Sequence, residues 1–274
     1  MKGRTASGIQ MPTDPFPLES PDRARNRVRT VHELRRLLPR IESGTAGGRI
    51  LPFGLPALDS YLPHGGLPFG ALHEITPQRD GDLPACFGFI AAMLGRVSAG
   101  EPVIFVSPQN LATRSRLYGH GLSALGLDPG RVFLVETPDD KQALWAIEEA
   151  LRSGVPAAVI GITGADIDLK SGQRLNLAAG DSGRLLFLVQ LAELTGLNVA
   201  MTRWRIGAEV AAKDRFGLIA RWRWHLSLER CRNGRTGEWR VEFDHAAHRF
   251  SLVSPLAHSS LPRRQDAQLN AHAG

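Results

Sequence analysis

A mostly parallel α/β sheet flanked by helices, continued by an antiparallel β extension, is the fold class this sequence predicts. Three observations carry that expectation. Short apolar runs bounded by Pro and Gly recur from about residue 70 to 189, as buried parallel strands do. Longer stretches with helical periodicity separate them, and repeated β-then-α units imply helices on both faces of the sheet. After residue 200 the period changes to two, which is the mark of half-buried antiparallel strands.

The elements follow in order. Residues 71–75 and 102–106 are apolar runs expected as strands, with a helix expected over 85–97 between them. Residues 132–135 give a further strand. Asp139 or Asp140 is placed to cap a helix running to Leu151, with Ala143, Leu144, Ile147, Ala150 and Leu151 on one side and Glu148 and Glu149 on the other. A strand over 157–162, a helix over 169–179 and a strand over 185–189 complete the alternation. In 221–230, Trp222, Trp224, Leu226 and Leu228 alternate with Arg223, His225, Ser227 and Glu229; in 238–244, Trp239, Val241 and Phe243 alternate with Arg240, Glu242 and Asp244. Asn233-Gly234 is a turn signal between those runs, and Phe250 and Leu252 offer a third strand.

The ends differ from the middle. Pro12, Pro15, Pro17 and Pro21 are followed by Arg23, Arg25, Arg27 and Arg29, the composition of a flexible basic arm. Thr30 can cap a short helix with Val31, Leu34, Leu37 and Leu38 on one face, and Gly44, Gly47 and Gly48 read as a linker. The expected organisation is an N-terminal segment over 1–49, a core over 50–200, a β extension over 201–256 and a disordered tail over 257–274. Residues 1–50 carry 10 cations against 5 anions, residues 51–200 carry 10 against 15, and residues 201–264 carry 13 against 6. Basic ends around an acidic centre suggest an acidic partner, nucleic acid being the usual one. The bland alternative is that 29 of the 33 cations are Arg, which a GC-rich coding bias would produce.

Composition removes several classes. No apolar run approaches the ~18–20 residues of a membrane span, and the first twenty residues lack the apolar stretch of a secretory signal. Two cysteines, Cys86 and Cys231, make neither a disulfide framework nor a four-cysteine zinc site, so a reducing cytoplasm is expected. His245 and His248 lack a companion cysteine pair, Cys86 reads as a buried structural thiol, and Asp166 and Asp168 read as loop and helix cap.

The segment from Phe53 to Ile75 resembles the start of a RecA-type ATPase core, in Gly54, Leu58-Asp59, Gly65-Gly66-Leu67-Pro68 and Gly70. The resemblance implies a RecA-like sheet and, directly after its first strand, a phosphate-binding loop with backbone N–H donors, a Lys and a Ser/Thr magnesium ligand. The sequence there is Thr76-Pro-Gln-Arg-Asp-Gly-Asp-Leu-Pro84. Gly81 stands at the last motif Gly, Asp82 at the Lys and Leu83 at the Ser/Thr. A carboxylate in place of the cation turns an attraction on the order of 4 kcal/mol into repulsion, at about 4 Å and an effective dielectric of ~20. Gln109 stands where the resemblance expects the activating Glu, and Gly161 where it expects a magnesium-linked Asp. The expectation is a degenerate phosphate loop (Thr76, Gly81, Asp82, Leu83), with no cofactor, metal or catalytic residue.

Five segments resemble the ImuA family of SOS-linked, damage-inducible mutagenesis proteins, over residues 50 to 256. They are Gly65-Gly-Leu-Pro-x-Gly-Ala-Leu-His-Glu74, Gly121-Leu-x-Ala-Leu-Gly-Leu-Asp128, Ala143-Leu-Trp-Ala-Ile-Glu-Glu-Ala-Leu-Arg-Ser-Gly154, Thr202-Arg-Trp-Arg205 and Arg221-Trp-Arg-Trp-His-Leu-Ser-Leu-Glu-Arg-Cys-Arg232. The resemblance implies a non-enzymatic accessory protein of translesion DNA synthesis. It would be cytoplasmic, and nucleoid-associated when DNA is damaged. Its expected partner is an ImuB-like, polymerase-related protein and, through it, an error-prone polymerase subunit; RecA and single-stranded DNA are further candidates, and no membrane is. Arg203, Arg205, Arg221 and Arg223 are expected to line one basic face for a partner or nucleic acid, with the interleaved tryptophans facing the core. Charge reversal at Arg203, Arg205 or Arg223 is then expected to weaken binding without unfolding. The alternatives are a RecA-type ATPase with an atypical phosphate loop and a SulA-like inhibitor of cell division.

Overall fold

The computed structural model describes residues 48–97, 100–112, 116–192, 199–232 and 235–253. Short ribbon strands β1 (Ile50–Leu51) and β2 (Leu67–Pro68) bracket the one-turn helix α1 (Pro56–Asp59). The chain then runs through β3 (Ala71–Pro77), α2 (Leu83–Leu94), β4 (Val103–Pro108), α3 (Gln109–Ala112), α4 (Gly119–Ala124), β5 (Val132–Thr137), α5 (Asp140–Arg152), β6 (Ala158–Thr163), α6 (Leu169–Ser182) and β7 (Leu185–Gln190). Four long or edge strands follow: β8 (Thr202–Lys213), β9 (Ile219–Cys231), β10 (Gly237–Asp244) and β11 (Arg249–Leu252).

Nine of these strands form one sheet in the order β11-β10-β9-β8-β3-β7-β6-β4-β5. The pairings from β8 through β5 are all parallel, and those from β8 out to β11 are antiparallel. The expected parallel sheet and its antiparallel continuation are therefore both present. β8 is the seam, pairing in parallel with β3 on one side and antiparallel with β9 on the other. Periodicity marks only the Thr202-Arg203-Trp204-Arg205 motif at the start of this strand, because Gly207, Ala208, Ala211 and Ala212 dilute the alternation beyond it.

Two apolar layers sandwich the sheet. On one face, α2 packs with Phe53, Leu58, Leu67, Ile75, Phe187 and the inner side of the antiparallel strands. Phe53 is the hub there, its ring centroid 5.6 Å from Trp204, 5.8 Å from Phe89 and 6.0 Å from Phe250. Aromatic pairs at such separations add to their burial energy. On the other face, Ala143, Ile147 and Leu151 of α5 and Leu175, Ala178 and Ala179 of α6 cover Leu72, Val106, Val159 and Leu186. Gly161 of β6 has a packing reason, since a Cβ would run into Ile147 Cδ1.

α5 starts as expected, with Asp139 as the cap whose carboxylate accepts the Gln142 N–H at 2.8 Å. Asp140 instead holds the loop after β6, accepting the N–H groups of Gly164 and Ala165. Glu148 corrects the expected division of that helix, because it is buried rather than on a solvated side. α6 packs beside α5, and the buried carboxylate is met by Arg152, one turn on at 2.6 Å, and by Arg174 of α6. Asp168 caps α6 through the Ser171 N–H at 2.6 Å, and Gly183 ends that helix in the left-handed conformation. The expected N-terminal helix at 31–38, the Asn233-Gly234 turn and the tail over 257–274 lie outside the described residues.

Candidate functional site

Two regions carry the residues singled out above: the junction between β3 and α2, and the polar face of β8–β10.

The junction spans only Gln78 to Asp82. Thr76 is buried, and its hydroxyl donates to the Trp204 carbonyl at 3.3 Å. Gln78 crosses onto β8: its N–H donates to the Ile206 carbonyl at 2.8 Å, and its Oε1 lies 3.2 Å from His225 Nδ1. Gly207 makes room for that crossing, because a Cβ there would strike the Gln78 amide. Residues 80–82 form one 3-10 turn. Gly81 is not in the left-handed region, and a Cβ on it would meet open space. The turn therefore lacks the glycine-dependent curl with which a loop wraps phosphate.

Asp82 is buried, and its Oδ1 accepts the Ala208 N–H of β8 at 3.2 Å. Leu83 is buried in the apolar layer and opens α2, whose first turn contains Pro84 and so lacks one N–H. A phosphate at this helix start would meet a carboxylate, a missing donor and an isobutyl group, where it needs donors and a cation. Cys86, one turn into α2, is wholly buried; burial first, and then the Asp82 charge, push its thiol far above the ordinary range. Gln109 is exposed at the start of α3. Gly161 lies inside β6, which runs two residues further to Thr163; the position ending that strand is thus a threonine.

One feature at this end of the sheet escaped sequence reasoning. Thr163 and Gln190, paired neighbours at the ends of β6 and β7, are fully buried. The Thr163 hydroxyl and both polar atoms of the Gln190 amide have no hydrogen-bond partner among the described residues. A single polar residue ending an apolar strand was the only signal available.

On the ribbon, Arg203, Arg205, Arg221 and Arg223 do share one face, opposite the core-facing Trp204, Ile206, Trp224 and Leu226. Each meets a carboxylate. Arg203 Nε lies 3.0 Å from Glu74 Oε2 on β3, and Glu74 is 1% exposed. Arg205 pairs with Glu229, which a bulge places beside it. Arg221 and Arg223 grip opposite oxygens of Glu242 at 2.6 and 3.0 Å, and Arg221 also approaches Asp244 at 3.8 Å. Arg240 pairs with Glu209 at 3.0 Å. Burial alone would raise the Glu242 carboxyl, but hydrogen bonds and charge from Arg221 and Arg223 outweigh it and hold the group below its ordinary value. The face is a lattice of alternating charge rather than a bare basic stripe. No sequence spacing foretold these partners, because four strands had to be set in register first. Trp204 and Trp224 are buried as expected, whereas Trp222 stays 38% exposed.

Among the described residues, no group of His, Cys, Asp or Glu could hold a metal ion, and no helix is long and apolar enough to cross a membrane. Fold and junction together define an α/β protein with a mixed nine-stranded sheet, a strand-to-helix turn closed by a carboxylate and a charge-paired β ribbon. Known proteins then give it a family. The chain is 34% identical over 230 residues to Protein ImuA of Caulobacter vibrioides, in strain NA1000 / CB15N and in strain ATCC 19089 / CIP 103742 / CB 15 alike; the match covers 76% of this chain and 90% of each relative. The chain belongs to the ImuA family. No protein-family model matches it.

Proposed function

We propose that this protein is a non-catalytic adaptor in SOS-induced translesion DNA synthesis. It binds an ImuB-like, polymerase-related partner and, through it, an error-prone polymerase subunit, with RecA or single-stranded DNA as further contacts. It works in the cytoplasm and joins the nucleoid when DNA is damaged. Membership of the ImuA family ties the chain to damage-inducible mutagenesis. The observation that carries the adaptor reading is Asp82, a buried carboxylate bonded to β8 at the helix start where a nucleotide-hydrolysing relative would hold phosphate. The charge-paired ribbon supports a protein partner as the first contact. A phosphate would have to displace a carboxylate from Arg203, Arg221 or Arg223, whereas a protein surface can extend the existing lattice.

One observation favours a second reading, a nucleotide-binding relative with an unusual phosphate loop: Thr163 and Gln190 have polar atoms without a partner among the described residues, and Gln190 lines a small cavity with Thr76 to Asp80 of the junction. Calorimetric titration with magnesium and ATP, against an intact phosphate-loop RecA as positive control, separates the two. Absence of binding up to millimolar nucleotide is expected, and pull-downs with the polymerase-related partner then follow, with and without single-stranded DNA. Micromolar, magnesium-dependent binding would overturn the adaptor reading.

A further inference from the structure

The β8–β9 hairpin runs past its neighbours. Pairing of β8 with β3 ends at Ile206, and β10 pairs with β9 only from Arg221 onward, so residues 207–213 and 219–220 have no flanking strand. The ribbon therefore carries its turn on the order of 20 Å beyond the last strand pairing of the sheet. That turn is tightly built. The Asp214 N–H donates to the Leu218 carbonyl at 2.8 Å, and Asp214 Oδ1 accepts the N–H groups of Phe216 and Leu218 at 2.8 and 2.9 Å. Gly217 supplies the left-handed residue with φ +81°. The turn holds an aromatic ring in water, Phe216 being 72% exposed. Arg215 lies over one face of that ring, 4.7 Å from its centroid.

The charge of the tip differs from that of the ribbon behind it. Residues 201–253 carry 11 cations against six anions. Five of those anions are engaged within the fold: Glu209 by Arg240, Glu229 by Arg205, Glu242 by Arg221 and Arg223, Asp244 by Arg221 and two N–H groups, and Asp214 by its own turn. The sixth, Glu238, stands 3.6 Å from His225. Lys213 and Arg215 are exposed and meet no carboxylate among the described residues. A phosphate arriving on the polar face of the ribbon must displace a carboxylate; at the tip it finds free cations.

We propose that the tip of this hairpin, Lys213 to Phe216, is a contact site for single-stranded DNA, in which Lys213 and Arg215 meet successive phosphates and an unstacked base lies on the open face of the Phe216 ring. The inference rests on the adaptor reading, in which single-stranded DNA is one of the contacts. Free cations beside an exposed ring are the combination that holds a single strand without reading its sequence: the phosphates supply the charge, and every base offers a flat face. A guanidinium stacked on a ring keeps its edge donors free for phosphate, so Arg215 serves both purposes. An acidic protein or an anionic membrane would match the charge as well, but neither supplies planar rings to stack on Phe216.

The test is fluorescence anisotropy of the full chain with a labelled oligothymidylate of about 25 residues, at about 50 mM salt and upward. Lys213→Gln combined with Arg215→Gln is expected to raise the dissociation constant at least about tenfold and to flatten the logarithmic salt dependence by about 1.4, or ~0.7 for each lost phosphate contact. Phe216→Ala should weaken binding at least about fivefold with the salt slope unchanged. Arg249→Gln, an exposed cation on the far edge of the sheet, should bind nearly as the wild type does. All these positions are exposed, so melting temperatures should not move. Absence of binding by the wild type overturns the proposal and leaves the adaptor reading standing, which the pull-down of the polymerase-related partner decides separately. Wild-type affinity in the tip variants, or a loss as large with Arg249→Gln, also overturns it. Equal affinity for the same strand annealed to oligoadenylate refutes stacking on an unstacked base. Tip-dependent binding to polyglutamate or to phosphatidylglycerol vesicles, with the oligonucleotide unaffected by the variants, overturns it too and assigns the tip to an acidic protein or to a membrane.

Discussion

His73 couples folding to pH through a buried hydrogen-bond chain. The side chain is fully buried on β3; its Nε2–H donates to the Pro68 carbonyl at 2.9 Å, and its Nδ1 accepts from the Thr202 hydroxyl at 2.8 Å. Trp204 Nε1–H donates in turn to the Thr202 oxygen at 2.9 Å. Burial lowers the imidazole from 6.5 to about 4, against the smaller raising effect of the Pro68 bond. Because the folded value is depressed, the unfolded chain takes a proton that the folded one refuses as pH falls from 6.5 towards 4. Stability from this group is complete above pH 6.5, declines by at most about 1.4 kcal/mol per pH unit, and has fallen by about 3 kcal/mol near pH 4. Urea unfolding at half-unit pH steps would measure it, with His73→Gln as the variant that cannot take the proton. The wild-type minus variant difference should shrink steadily below pH 6.5. A difference that stays flat down to pH 4.5 refutes the assignment of that slope to His73.

Other outcomes follow from particular contacts. Gly161→Ala should destabilise by about 1–3 kcal/mol, measured by urea unfolding, because α5 must move to admit a methyl group against Ile147. Arg203→Glu should lower the melting temperature markedly, since it sets two carboxylates together at the buried Glu74; Arg205→Glu, on the more exposed Glu229 pair, should cost about 1 kcal/mol or less. Only Arg205 therefore suits a binding test by charge reversal, which revises the expectation that Arg203 and Arg223 would serve equally. Thiol titration of the native protein should find Cys86 inert, with Cys231 reacting first and both reacting in urea, because burial holds the Cys86 thiol neutral.

Much of the architecture was legible in one dimension. Apolar runs at 71–75, 132–135 and 185–189 coincide with β3, β5 and β7, and the alternation around Trp224 and Val241 marks β9 and β10. The small elements were not: β1, β2, α1, α3 and α4 have two to six residues each, too few to show a period. β8 was hidden for a different reason, its bulges and small residues breaking the alternation beside Arg203 and again beyond Glu209.

The sequence by itself determined the fold class and the family motifs, because these depend on residue type and local spacing. Tertiary structure alone decided which carboxylate each arginine meets. Arg203 reaches Glu74 across 129 positions, and Arg174 reaches Glu148 across 26. It also decided that one hairpin outruns the sheet. Such pairings follow from strand order and register, and periodicity within one strand carries no information about which strand will lie beside it.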